Sequence, residues 1–184
     1  QLDGAPDYVA VNVSSADLRV PGLVADLLKT LGERQLAPRH LVLDVNETTH
    51  LGLREKQTLG ALEHVRASGI RIALDDFGSG LASLSHWMSV PVDVIKLDPS
   101  LTNVQEEEKA SAIISGMLDI SRRLGIEVIA EAIETPQQHA WLRSLGCRFG
   151  QGYHLSRPLP QSGIASILRT DGALTGRNQA TQRA

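Results

Sequence analysis

The sequence has few cysteines and aromatic residues and lacks long apolar runs, which several common classes of protein need. One cysteine, Cys147, occurs in 184 residues, which excludes an intrachain disulfide framework and leaves no cysteine partner for a zinc knuckle. Aromatic residues make up only 3% of the chain, too few for a platform that stacks single-stranded bases. No apolar run approaches the ~18 residues of a membrane helix, and no basic-then-apolar signal segment opens the chain. We therefore expect no membrane insertion and a reducing, cytoplasmic setting.

The charge balance and length narrow the class further. The formal net charge is -3, which argues against a broad basic face that holds a nucleic acid polymer. A hydrophobic share of 42% and a charged share of 21% are typical of a globular domain and not of a disordered chain or a coiled coil. We expect one domain over residues 1–170, followed by a polar, disordered tail at 171–184.

Short apolar runs alternate with helical patterns about six times along the chain. The runs are rich in Val, Ile and Leu without strict alternation, which is typical of parallel strands buried on both faces. The predicted strands are 8–13, 41–45, 71–74, 94–97, 127–130 and 148–152. The predicted helices are 22–34, 54–68, 81–89, 104–124, 136–145 and 160–169.

This alternation predicts either an open doubly wound sheet or part of a (β/α)8 barrel. The first strand is followed by VNVSSADL, which lacks the glycines of a dinucleotide-binding fingerprint, so a Rossmann fold is less favoured. A full barrel has eight units and typically ~250 residues. If the fold is a barrel, about two of its units are absent from this sequence.

Two helices carry distinct local signals. Thr135 and Gln138 have the spacing of a capping box, and Pro136 occupies the first helical position. In the helix at 104–124, four apolar residues recur at helical spacing and are expected to face the core. They are Ile113, Met117, Ile120 and Leu124.

Every predicted strand ends beside a polar or charged residue. In a parallel barrel these ends meet at one mouth, where nearly all such enzymes have their active sites. The residues are Asn12, Asp44, Asp75 and Asp76, Lys96 with Asp98, Glu131, and Gln151. Any one of them alone is equally explained as a solvated loop acid or a structural ion pair. The complete set favours a functional site.

The strand-end residues favour a site for hard divalent cations. Carboxylates and one asparagine, without clustered histidine or cysteine, form an oxygen donor set suited to Mg²⁺ or Mn²⁺. Adjacent acids at Asp75 and Asp76 would allow one to bridge two ions while the other binds the second, an arrangement that activates water in phosphoester cleavage. Lys96 would steer that water or support a phosphate oxygen.

Other chemistries are less favoured. A lysine on a barrel strand also suggests a Schiff-base lyase, but that reaction needs a depressed lysine pKa, and the acids around Lys96 would raise it. The six histidines show no pairing at metal-ligand spacing, and no G-x-S-x-G elbow is present.

The segment ALDDFGSG at 73–80 resembles the loop signature of EAL-domain phosphodiesterases of bacterial cyclic di-GMP signalling. Five further blocks are similar to that family's motifs in the same order. They are VNVS at 11–14, LVLDVNET at 41–48, PVDVIKLD at 91–98, VIAEAIET at 128–135 and GCRFGQGYHLSRPLP at 146–160. The resemblance spans about residues 8–162, and the ordered series makes it specific.

The resemblance implies an α/β fold, a TIM-like (β/α)8 barrel that is incomplete here with about six units. It also implies metal-dependent hydrolysis of cyclic di-GMP to linear pGpG with Mg²⁺ or Mn²⁺. The implied metal ligands are Asn12, Asp44, Asp75, Asp76 and Glu131. The implied catalytic set is Lys96, which assists the water, with Glu131, Gln151 near the metal centre and Glu47, which holds the Asp-Asp loop. Glu134 and Asp98 are expected just outside this set.

The sequence also departs from the family. No Glu-Ala-Leu motif precedes Asn12, so a metal-binding glutamate and the substrate-contacting arginine after it are not found in this sequence. Asp44 stands where glutamate is usual, which keeps the charge but shortens the reach by one methylene. Ser79, Leu81 and Ala132 are milder differences. The alternative function is therefore a catalytically inactive module that binds cyclic di-GMP or a protein.

A barrel without its first units has two unpaired strand edges and part of its apolar interior exposed. We therefore expect a second copy of the chain or a missing N-terminal segment to cover them. The first residue, Gln1, is not Met, which is in keeping with a piece of a longer protein.

Overall fold

The computed structural model describes residues 8–46, 56–78, 90–103 and 108–164. Within these ranges the chain forms one parallel sheet, with helices described between all successive strands except the third and fourth, whose connection lies mostly outside the described residues. Three predictions lie outside the described residues, namely Glu47, the helix at 81–89 and the tail at 171–184.

The sheet has six strands whose order in space equals their order in the chain. They are β1 Val9–Val13, β2 Leu41–Asn46, β3 Arg71–Phe77, β4 Val94–Leu97, β5 Glu127–Ala130 and β6 Phe149–Gly150. Every neighbouring pair is parallel. A doubly wound sheet reverses its strand order near the middle, whereas this sequential order is that of a barrel wall. Among the described residues β1 and β6 are the two edges, so the wall does not close.

The described helices follow the predicted alternation. They are α1 Ser15–Leu18, α2 Leu23–Glu33, a 3-10 turn Pro38–His40, α3 Lys56–Ala67, α4 Pro99–Thr102, α5 Glu108–Leu124 and α6 Pro136–Ser144. The three short elements among them were not predicted, because one helical turn carries no measurable periodicity. No helix in the described ranges has the length and apolar character needed to cross a membrane.

The capping box at the start of α6 is confirmed. The Thr135 hydroxyl accepts a hydrogen bond from the Gln138 backbone N–H at 3.1 Å, and Gln138 Oε1 accepts from the Thr135 N–H at 3.0 Å. These two bonds satisfy N–H groups that have no partner within the helix.

The sheet is buried on both faces in its central strands. One face packs under the helices, with Leu43, Ile72 and Ile95 in the main cluster of buried residues. The other face holds a smaller cluster of Val42, Ala73 and Val94. Because strand side chains alternate between faces, both clusters follow from the continuous apolar runs.

The predicted core stripe of α5 was wrong. Ile113 is 50% exposed and Leu124 60% exposed, and Ile120 also faces solvent. The buried face instead carries Ile114 and Leu118, together with Met117 from the predicted stripe. The helix presents two overlapping apolar stripes, and the position of the sheet decides which of them is buried.

The edge strands remain partly uncovered among the described residues. Val9 is 58% exposed on β1, where Val11 also faces solvent, and Phe149 is exposed on β6. Strands β2 and β4, which have a neighbour on each side, keep their apolar residues buried except for the half-buried Leu41.

Candidate active site at the carboxyl ends of the strands

Four charged side chains meet at the carboxyl ends of β2 to β5. The Lys96 ammonium contacts Asp44 Oδ2 at 2.9 Å, Asp75 Oδ1 at 2.9 Å and Glu131 Oε1 at 2.8 Å. Lys96 is only 7% exposed and Asp44 only 5%. Four strand ends that are distant in sequence therefore converge on one buried ionic cluster.

The strand period explains why these side chains share a face. Each of the four charged residues lies two positions after an apolar residue of the interior face. Because strand side chains alternate between faces, the charged residue and that apolar residue point to the same side of the sheet. The pairs are Val42 and Asp44, Ala73 and Asp75, Val94 and Lys96, and Ile129 and Glu131. The charged residues thus stand above an apolar layer in which Val42, Ala73 and Val94 are buried and Ile129 is partly buried.

Asp75 and Asp76 require a local departure from strand geometry, because consecutive strand residues normally point to opposite faces. The β3–β4 register shifts between Leu74 and Phe77, and Asp76 has a left-handed backbone with φ of 56°. Aspartate tolerates this conformation better than most residues. The irregularity brings both carboxylates together with Glu131, with oxygens of all three within 4.8 Å of one another.

Burial and crowding raise the pKa values of three acids of the site, Asp44, Asp76 and Glu131. Burial raises the pKa of Asp44, although Lys96 opposes the shift. Burial likewise raises the pKa of Glu131, and burial together with neighbouring Asp75 raises the pKa of Asp76. The cluster holds more negative charge than its one lysine balances, which is the electrostatic condition for binding a cation.

Lys96 is strongly held in its charged form. Burial alone would lower its pKa, but hydrogen bonds to Glu131, Asp44 and Asp75 together outweigh burial and raise that pKa above its ordinary value. A Schiff-base nucleophile needs the opposite shift. The geometry is therefore unfavourable to the lyase alternative.

The donor set fits a divalent ion on two observations. Asp75, Asp76 and Glu131 offer hard oxygen ligands close together. In addition, Asp44 Oδ1 is buried and has no hydrogen-bond partner among the described residues, although such oxygens normally have one. The cluster thus has free oxygen atoms of the kind that Mg²⁺ and Mn²⁺ prefer.

The remaining predicted residues lie around this cluster. Asn12 pairs in register with Asp44 across β1 and β2, and its side chain is exposed. Gln151 is anchored by its backbone, donating to the Ala130 carbonyl at 2.8 Å, and it is also exposed.

Asp98 and Glu134 have local structural contacts. Asp98 Oδ1 accepts from the Ser100 N–H at 2.7 Å and caps α4, while its charge helps raise the pKa of Asp76. The Glu134 N–H donates to Gln138 Oε1 at 2.9 Å, and its side chain is exposed.

Sequence reasoning missed Thr102. This fully buried residue ends α4, and its hydroxyl donates to the Glu131 carbonyl oxygen at 2.9 Å. The bond fastens the backbone that presents the Glu131 carboxylate. No sequence signal identifies it, because the contact joins residues 29 positions apart and the helix is a single turn.

Comparison with known proteins agrees with this geometry. The family model described as EAL domain matches residues 1–158. The chain belongs to the EAL domain family. Its fold is accordingly an incomplete TIM-like barrel, as predicted.

Two similar proteins illustrate the family. An uncharacterized protein of Mycobacterium tuberculosis is 36% identical over 158 residues, which are 83% of this chain and 51% of that protein. The cyclic di-GMP phosphodiesterase NbdA of Pseudomonas aeruginosa is 35% identical over 162 residues, 88% of this chain and 21% of NbdA. The chain thus spans about half the length of the Mycobacterium tuberculosis protein and a smaller share of NbdA.

Solved structures show the same relation. A PaMucR phosphodiesterase in complex with c-di-GMP matches with a TM-score of 0.74 and 34% identity, covering 85% of this chain and 64% of that one. A manganese and cy-diGMP complex of Klebsiella pneumoniae BlrP1 at pH 9.0 matches with a TM-score of 0.76 and 32% identity, covering 82% of this chain and 39% of that one.

Proposed function

We propose that this EAL domain hydrolyses cyclic di-GMP to linear pGpG with Mg²⁺ or Mn²⁺. The observation that carries the proposal is the group of Asp75, Asp76 and Glu131, whose oxygens lie within 4.8 Å of one another beside the buried Lys96. The family and the relatives named as cyclic di-GMP phosphodiesterases support the choice of substrate.

Metal binding is assigned to the strand-end oxygen ligands. They are Asp75, Asp76 and Glu131, with Asp44 and Asn12 beside them. When bound, divalent ions neutralise phosphodiester charge and lower the pKa of a bound water. The unpartnered Asp44 Oδ1 supports this assignment, because a buried oxygen without a donor is satisfied by a cation.

The hydrolytic step uses the protein's own charges for positioning. The water oxygen forms a bond to phosphorus and the water gives up one proton, one bond from phosphorus to a ribose oxygen breaks, and that ribose oxygen takes up one proton. We assign Lys96 to hold the water or a phosphate oxygen, since its charged ammonium lies among the acids. Gln151 borders the same mouth, and Glu47 is assigned to the Asp-Asp loop by its motif.

A second candidate is a module that binds cyclic di-GMP without turnover. The exposure of Asn12 favours it, because one metal position would have fewer ligands if this side chain did not bind. Asp44 in place of the family's usual glutamate also favours this candidate, because its carboxylate reaches one methylene less far toward a metal ion.

Incubation with cyclic di-GMP and Mg²⁺ or Mn²⁺, followed by chromatography, tests both candidates. We expect pGpG from the wild-type chain and none from Asp75→Asn. Asp119→Asn is the matched control, because Asp119 is an exposed residue of α5 whose ion pairs within the described ranges are with Arg122 and Arg123 of the same helix. Binding without product would favour the second candidate. If the chain neither binds cyclic di-GMP nor forms pGpG, both candidates are contradicted.

A further inference from the structure

Lys96 contacts two of the three acids that form the candidate metal group. Asp75 and Glu131 are within 2.9 Å and 2.8 Å of its ammonium, and the same two residues join Asp76 in the group of close oxygens. We propose that Lys96 is a built-in counter-cation that competes with the divalent ion, so that metal binding requires the ammonium to withdraw from Asp75 and Glu131. The inference rests on the metal site of the proposed function.

The charge count explains why a resident cation is present. Four carboxylates converge here, from Asp44, Asp75, Asp76 and Glu131, and in the described part of the chain the Lys96 ammonium contacts three of them, Asp44, Asp75 and Glu131. Without a cation these acids would repel one another in a poorly screened site. The ammonium therefore holds the acids together when no metal is bound.

The same geometry opposes metal entry. An ammonium and a divalent ion that share two carboxylates lie within a few Å of each other, and their repulsion is large where solvent is excluded. Lys96 is 7% exposed, so water screens this repulsion poorly. Each carboxylate has a second oxygen, yet binding through that oxygen leaves the two cations adjacent. Lys96 thus lowers the affinity for the metal while it stabilises the metal-free fold.

Calorimetric titration with Mn²⁺ tests the inference on wild-type chain and Lys96→Met. Removing the competing charge should lower the Kd for Mn²⁺ on the order of tenfold or more. Arg71→Met is the matched control, because Arg71 forms its ion pair with Glu127 at the opposite end of the sheet, and its Kd should equal that of the wild type. The melting temperature of metal-free Lys96→Met should fall and should recover more with Mn²⁺ than that of the wild type.

The outcomes separate this inference from the proposed function. If the wild type binds Mn²⁺ and Lys96→Met binds it equally or more weakly, the competition is refuted and the metal site stands. If neither protein binds Mn²⁺, the metal site and the inference both fail.

A measurement on the wild type covers the case in which Lys96→Met does not fold. In protein labelled with ¹⁵N-lysine, the Lys96 Nζ resonance should shift as Mg²⁺ saturates the site, because the ammonium leaves two carboxylates. Lys29, which is exposed on α2, provides the resonance that should not move. An unchanged Lys96 signal at saturation would overturn the inference.

Discussion

Thr102→Val should lower both the stability of the fold and the precision with which Glu131 is held. The substitution keeps the shape and β-branching of the side chain and removes only the hydroxyl that donates to the Glu131 carbonyl at 2.9 Å. Because Thr102 is fully buried, the carbonyl loses a donor at a site that water does not easily replace. Leaving a buried polar group unsatisfied costs ~1–3 kcal/mol.

Urea unfolding measures this cost. With a slope of about 2 kcal/mol per molar urea, a loss of about 2 kcal/mol moves the midpoint down by about 1 M. Thr30→Val provides the matched control, because the Thr30 hydroxyl donates to the Asp26 carbonyl at 2.8 Å on the exposed surface of α2. Its effect should stay within about 0.5 kcal/mol.

The functional readout is the Kd for Mn²⁺, which should rise in Thr102→Val and stay unchanged in Thr30→Val. Equal midpoints for the two variants would show that the Thr102 bond contributes nothing to stability. An unchanged Kd in Thr102→Val would refute its role in positioning Glu131.

Two further predictions concern packing and protonation. Ile114→Ala should lower the free energy of unfolding by ~2–5 kcal/mol, because Ile114 is fully buried. Ile113→Ala, one residue earlier and half exposed, should lower it by less than about 1 kcal/mol. Urea unfolding midpoints measure both losses, and equal losses would contradict the assigned buried face of α5. In ¹³C NMR of metal-free protein, the pKa of Asp44 should lie above 3.8 because of burial, and that of Asp17 below 3.8 because of its hydrogen bonds from Ser14. Asp44 ionises less readily in the folded chain than in the unfolded chain. Its contribution to stability therefore falls as pH rises from its ordinary pKa through its raised pKa in the fold. A measured pKa of Asp44 below that of Asp17 would refute this reasoning.

The sequence by itself determined the strand positions and the kind of chemistry at their ends. Continuous apolar runs predict parallel strands buried on both faces, and the polar residue after each run marks the carboxyl end. Asp44, Asp75, Lys96 and Glu131 were predictable for this reason, because two-residue periodicity is a local property. The capping box at Thr135 and the EAL motifs were equally readable, since each depends on residues close together in the chain.

Only the tertiary structure decided the contacts within the site. The three bonds of Lys96 and the support of Glu131 by Thr102 join strands and turns far apart in sequence. The same holds for α5, where two apolar stripes overlap and the position of the sheet selects Ile114 over Ile113. Local periodicity gives the direction of a side chain relative to its own strand or helix, whereas its partner depends on how separate elements pack together.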